Sequence, residues 1–433
     1  MTVLMYTLGV VVFVVGLAVS IGLHEVGHMV PAKKFGVKVT QYFVGFGRTV
    51  WSTRRGETEY GVKAIPLGGY VKLVGMLPPG KGEDPRRIRR SNTGIFSQLI
   101  SDARAAEYEL VEEGDEDRLF YRLPWWKKVI VMAAGPSVNL VLAFGLFAAV
   151  FMIHGVPTAR TTVSEVSDCV IAASEGNRPC TPQDPVSPAR KAGLRAGDRI
   201  VAINGTTITS WDQLTRIIRA NDNGRAVIVY ERDGEKHTTT TSTTVSPRQS
   251  IDDPERFVDV GFLGVSPTVV QVQKGPGYVV TTMGDYTWQT VKALGTLPAK
   301  LVDVGKAALG LQERQQDSPM SVVGASRVAG EVASSSGVPV ADKLFGVLAL
   351  LGGINLFVGM FNFVPLLPLD GGHIAGALYE ALRRGIARLL RRPDPGYFDV
   401  AKLLPVAYVM AGVILVMSVV LIYADIVAPV QVG

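Results

Sequence analysis

Four long stretches of the 433-residue chain carry no Asp, Glu, Lys or Arg: Val3–Leu23, Val129–Ile153, Leu344–Leu369 and Leu403–Tyr423. A bilayer core takes about 20 apolar helical residues, so each stretch predicts a membrane-spanning helix. The first runs straight into His24-Glu25-Val26-Gly27-His28. It lacks the basic n-region and cleavage site of a secretory signal, and reads as a retained span. Between the spans the pattern changes. Thr58–Ile65 and Tyr70–Val74 are β-prone runs flanking Pro66-Leu67-Gly68-Gly69, which predicts a hairpin. Residues 77–118 are rich in Pro, Gly and charge, and read as a mobile, partly helical loop. Residues 155–270 predict a small α+β domain: helix Pro188–Lys191, strand Arg199–Ile203, a turn at Asn204-Gly205, helix Trp211–Arg219, strand Ala226–Arg232 and a turn at Asp233-Gly234. Residues 275–340 mix amphipathic stretches such as Trp288–Lys306 with Gly/Ser-rich pieces. They read as helices at the outer membrane surface or as a plain tether.

Composition agrees with a membrane protein. The chain is 47% hydrophobic and 19% charged, against about 25% charged in soluble proteins. A net charge of +6 with no basic run interleaved with aromatics argues against nucleic acid as a partner. Charge near the span ends sets the orientation. Residues 31–128 hold 18 Lys+Arg against 12 Asp+Glu, whereas residues 154–343 hold 20 of each. Arg383, Arg384, Arg388, Arg391, Arg392 and Lys402 lie between the third and fourth spans. The basic segments are therefore expected in the cytoplasm, with both termini and residues 154–343 outside.

The expected fold is a polytopic α-helical membrane protein with four transmembrane helices, an inserted extracytoplasmic α+β domain and a cytoplasmic β-hairpin. Its segments are 1–30, the first span with its His-Glu-His cluster; 31–125, a cytoplasmic loop with the hairpin; and 126–154, the second span. Then come 155–270, the external domain; 271–342, an external amphipathic linker; and 343–374, the third span. Residues 375–402 form a basic cytoplasmic loop and 403–426 the fourth span. The two cysteines, Cys169 and Cys180, both fall in the external domain. They are too few for a thiolate zinc site, and an oxidising location permits a disulfide between them.

Why does a membrane helix end in two histidines and a carboxylate? Ionisable groups in a bilayer are costly and mark function. His24 and His28 stand at i and i+4, on one helix face, where two imidazoles can share a zinc ion. Glu25 beside them can take a proton from the attacking water and hand it to a leaving amine. A catalytic zinc takes three protein ligands. His154 and His237 fall on the outer side, away from His24. That leaves Asp370, at the end of the third span, and His373 as rival third ligands. Gly371 and Gly372 let the backbone approach other groups closely there.

These residues resemble a known family. His24-Glu25-Val26-Gly27-His28, "AAGPSVN" at 133–139 and "NFVPLLPLDGG" at 362–372 are similar to the motifs of the site-2 proteases, intramembrane zinc metalloproteases. "AGLRAGDRIVAING" at 192–205 resembles bacterial PDZ domains, with "GFLGVSP" at 261–267 as a closing strand. The resemblance extends over nearly the whole chain, most weakly at 77–118 and 275–340. It implies that His24, His28 and Asp370 bind Zn2+ and that Glu25 is the general base. It suggests that Asn362 hydrogen-bonds substrate or the developing oxyanion, with a helix-packing contact as the plain alternative. Gly135 and Asn139 would let the second span pack on the first. The hairpin at 58–74 would pair with unwound substrate. The implied activity is cleavage of single-span membrane proteins, such as anti-sigma factors, in the plasma membrane after a first external cut. The active site would face the cytoplasm. The PDZ-like domain would exclude uncut substrates or bind a new terminus. Two other readings are a PDZ-bearing scaffold without catalysis and a membrane-anchored zincin for quality control.

Overall fold

The computed structural model describes residues 2–79, 94–109, 111–176, 178–251, 256–315 and 317–430. The chain divides into two units, Met1–His154 with Gly275–Gly433, and Gly155–Lys274. Among the described residues, four helices are long and apolar enough to cross a membrane: Thr2–Lys34, Trp125–His154, Val340–Asn362 and Val400–Val427. The chain is thus membrane-integral.

Helix α1 (Thr2–Lys34) buries one stripe, Gly9, Phe13, Leu17, His24 and His28, while Val3, Leu4, Val15 and Val19 are exposed. Exposed aliphatics around a stripe that includes polar groups are what lipid demands as a solvent. Strands β1 (Val39–Arg55) and β2 (Thr58–Leu73) follow. The reversal falls at Gly56-Glu57, where Gly56 has φ 62°. It does not fall at Pro66–Gly69, where the sequence predicted it. Instead β2 runs on through that segment and bends, because Gly68 takes φ 111°. Residues 41–44 consequently have partners on both sides, Glu59–Val62 and Gly69–Lys72. Helix α2 (Ile95–Tyr108) is the helical part of the expected 77–118 loop, and residues 80–93 lie outside the described residues. Helix α3 (Trp125–Ala149) continues as a π turn over Val150–His154.

The second unit contains β3 (Val156–Val166), α4 (Pro188–Lys191), β4 (Arg199–Ile203), β5 (Thr206–Thr207), α5 (Trp211–Ala220), β6 (Arg225–Arg232), β7 (Glu235–Ser242), β8 (Thr244–Gln249), β9 (Phe257–Phe262) and β10 (Val265–Val272). The sheet order is β10-β3-β4-β6-β7, with β5 on β4, and β8–β9 pair separately. "GFLGVSP" is split: it ends β9, turns at Gly264 and opens β10. Ile200, Ile203, Leu214 and Ile228 fill the core. Cys169 and Cys180 form a disulfide.

One buried ion pair is expected to make this unit acid-sensitive. Asp198 is buried and accepts from Arg232 Nε at 2.7 Å and Nη2 at 2.8 Å, and from the Arg195 amide at 2.7 Å. Burial alone would raise its pKa, but these donors hold it below the ordinary carboxylate value. A carboxylate depressed in the folded state stabilises fully above its unfolded pKa, about 3.9, and loses that contribution as pH falls through the lower folded value. Hydrogen exchange of β4 and β6 in the full chain, corrected for intrinsic rates, is expected to accelerate steeply below about pH 4. Asp198→Asn is expected to be less protected at neutral pH and to lose that acid step. An unchanged acid step in the variant would show that other groups govern it.

Helices α6 (Pro276–Ala308) and α7 (Val322–Ser334) occupy the expected linker. The stretch is no tether, because α7 packs into the bundle. Ala325 and Ala329 join a core with Phe13, Leu17, Val347 and Leu351. Its Gly/Ala/Ser sequence looks like a loop in isolation but gives a helix face flat enough for close contact in lipid. Helix α8 (Val340–Asn362) then ends seven residues before the predicted limit of the third span at Leu369. Pro365 and Pro368 have no amide hydrogen to continue it. Asp370 therefore does not end that span. It opens a separate helix, α9 (Asp370–Leu389), which replaces much of the expected basic loop. Helix α10 (Leu404–Val427) closes the chain.

Candidate active site

Helix α1 supplies His24 and His28 one turn apart, and α9 brings Asp370 to them. His24 Nε2 and His28 Nε2 are 3.2 Å apart. Asp370 Oδ2 lies 3.4 Å from the first and 3.3 Å from the second. Both imidazoles are buried, and the Asp370 side chain is 20% exposed. The Val131 carbonyl of α3 accepts from His28 Nδ1 at 2.8 Å. A carbonyl oxygen cannot donate, so Nδ1 carries the hydrogen and Nε2 offers a lone pair.

The donor set fits a metal ion. Three atoms able to act as ligands converge, and the His28 atom among them, Nε2, carries no hydrogen. Tetrahedral zinc with bonds of 2.0–2.1 Å has ligand–ligand edges of about 3.3–3.4 Å. The three separations of 3.2, 3.3 and 3.4 Å match that spacing. A cation there would also relieve the repulsion of converging lone pairs.

Small residues make the convergence possible. A methyl group at Gly27 would lie 2.8 Å from the Ala134 carbonyl oxygen, and one at Gly135 would lie 2.2 Å from His28 Nε2. Gly135→Ala is therefore expected to displace His28 and weaken zinc binding by about 100-fold, the upper range for disturbing a ligand's support. Chelator competition on the purified protein measures this. Wild-type affinity in the variant would mean that His28 is free to move without consequence. Gly371 and Gly372 approach the preceding turn closely: added methyls would lie 2.2 Å from the Val364 oxygen and 2.7 Å from the Leu367 nitrogen.

A cavity of about 450 Å³ opens beside these groups, lined by Glu25, Gly68, Gly69, Asn139, Asn362, His373 and others. Glu25 is partly buried, and a methyl at Gly69 would lie 3.1 Å from its Cγ. The Gly69–Lys72 segment pairs with β1 on one side only among the described residues. Asn362 is the last residue of α8, and its Nδ2 donates to the Val358 carbonyl at 3.1 Å. His373 lines the same cavity but stands outside the three-atom cluster. His154 is paired with Asp342 at 2.9 Å, and His237 stacks on Tyr230 in the other unit.

Sequence reading missed four contributors. Gly68 and Gly69 looked like turn residues. Asn139 looked like a packing residue, yet it faces the cavity. Glu380 of α9 is fully buried and accepts from Lys128 Nζ of α3 at 2.8 Å, which anchors the helix that presents Asp370. A lone Glu within a basic segment gives no signal of that partner.

The sequence profile of Peptidase family M50 matches residues 12–390. The chain is 32% identical to "Zinc metalloprotease Rip1" of Mycobacterium tuberculosis over 99% of each chain. It is 34% identical to the Mycolicibacterium smegmatis protein of that name, over 99% of this chain and 100% of the other. It is 26% identical to "Regulator of sigma-E protease RseP" of Escherichia coli, over 86% of this chain and 90% of the other. Extended similarity to these proteases, together with the site's geometry, shows that the chain belongs to peptidase family M50, the site-2 type of metalloendopeptidase.

Proposed function

We propose that the protein is an intramembrane zinc endopeptidase of regulated proteolysis. It would cleave transmembrane segments of single-span proteins, anti-sigma factors among them, after a first extracytoplasmic cut. The observation that carries this reading is the convergence of His24, His28 and Asp370 beside Glu25, on helices of a membrane-spanning unit. Similarity to proteins named for zinc and for sigma-factor regulation supports the metal and the substrate class.

His24, His28 and Asp370 would hold the zinc. When bound, it supplies Lewis acidity that polarises the scissile carbonyl and makes water a nucleophile at neutral pH. Glu25 takes a proton from the attacking water and passes it to the leaving amine. Asn362 would donate to the developing oxyanion after releasing Val358. The one-sided strand at Gly69–Lys72 offers backbone partners to a substrate helix that has lost its own hydrogen bonds. The basic segments support a plasma-membrane orientation with the site toward the cytoplasm, and with both termini and the 155–270 unit outside. That unit, PDZ-like in sequence, would take a substrate terminus or exclude uncut protein.

Reconstitution into vesicles with a single-span substrate tests the reading. Cleavage is expected inside the span, abolished by a zinc chelator and restored by Zn2+. Cuts confined to soluble segments would contradict an intramembrane protease.

A further inference from the structure

We propose that Asn139 is a positioning residue of this centre, its Oδ1 accepting the Nδ1–H of His24. The inference rests on the zinc reading above. A histidine bound to metal through Nε2 carries its hydrogen on Nδ1, and that hydrogen needs an acceptor that fixes the ring. His28 has the Val131 carbonyl for this purpose. His24 Nδ1 is buried and has no partner among the described residues. Asn139 is 3% exposed, lines the same cavity as His24, and its Oδ1 is likewise buried with no partner among the described residues. A buried polar atom without a hydrogen bond leaves its desolvation uncompensated, so two of complementary chemistry beside one cavity point to each other.

The helix register brings them to one level. Helices α1 and α3 run in opposite directions: Val131 packs near Met29 and Ala32, whereas Leu146 packs near Phe13 and Leu17. Gly135 lies against His28. One turn back along α1 from His28 is His24, and one turn on along α3 from Gly135 is Asn139. Side chains lean toward the N-terminus of their own helix. In an antiparallel pair the two side chains lean in opposite directions along the axis, so that at one level they pass side by side. The terminal torsion of Asn is broad, so its amide can turn toward the ring.

The test is zinc affinity of the full-length protein in detergent, stripped of metal and titrated with Zn2+ against a chelator. Asn139→Leu keeps the volume but removes the acceptor, and is expected to bind zinc roughly 10–100-fold more weakly. Asn139→Asp keeps an acceptor, and is expected to bind at least as tightly as wild type. Thermal unfolding of the metal-free forms shows whether the leucine variant folds. If it does not, Asn139→Ala takes its place with the same expected loss. Wild-type affinity in the variant lacking an acceptor would overturn the proposal, and so would equal losses in the Leu and Asp variants. Failure of the wild type itself to bind zinc would instead overturn the metal reading on which the proposal rests.

Discussion

Glu25→Gln is expected to keep its zinc and to lower cleavage of a membrane-embedded substrate by about 10³–10⁴-fold, the upper range for losing a general base. Glutamine has the same shape as glutamate, so the helix and its neighbours need not move. Its amide has no basic oxygen that can hold a proton at neutral pH. Glu25 faces the cavity but lies outside the three-atom cluster, so metal content and cleavage should separate. Zinc stoichiometry and cut product, measured on one preparation, read both. A variant that cuts at the wild-type rate would remove Glu25 from the chemistry. A variant that has lost zinc would make it a ligand instead of a base.

Asp370→Ala is expected to do the opposite, with metal and cleavage lost together. Asp370 is the one anion in the cluster, and its Oδ2 lies within 3.4 Å of both Nε2 atoms. Removing it leaves two neutral donors, too few for a catalytic zinc site. Zinc affinity is expected to fall by more than about 100-fold, beyond the range seen for outer-shell support. Cleavage should fall to background. His373→Ala is the contrast: it removes a cavity-lining ring outside the cluster and should retain zinc. Retained zinc in Asp370→Ala together with lost zinc in His373→Ala would exchange the two assignments.

Much of this was legible along the chain because lipid imposes a one-dimensional rule. A segment that spans must be uncharged and helical, so α1, α3, α8 and α10 announce themselves by composition. The spacing of His24 and His28 is equally local, since one helical turn places both on a face whatever lies around them. The errors also have local causes. Pro66-Leu67-Gly68-Gly69 has turn composition, yet turn residues can equally bend a strand that has neighbours to hold it. The small residues of α7 left a plain tether open as a reading because their value as a packing face exists only opposite α1.

The sequence by itself therefore determined which segments enter the membrane, which two histidines share a helix face, and which carboxylate stands beside them. It left the third ligand open between Asp370 and His373, three residues apart. Tertiary structure decided where each falls. Proline ends α8 at Asn362, the Gly371-Gly372 pair lets α9 start against the preceding turn, and Lys128 anchors Glu380 further along. Those contacts join residues far apart in the chain, so no window of sequence contains them. They are what aim one carboxylate oxygen at two imidazoles.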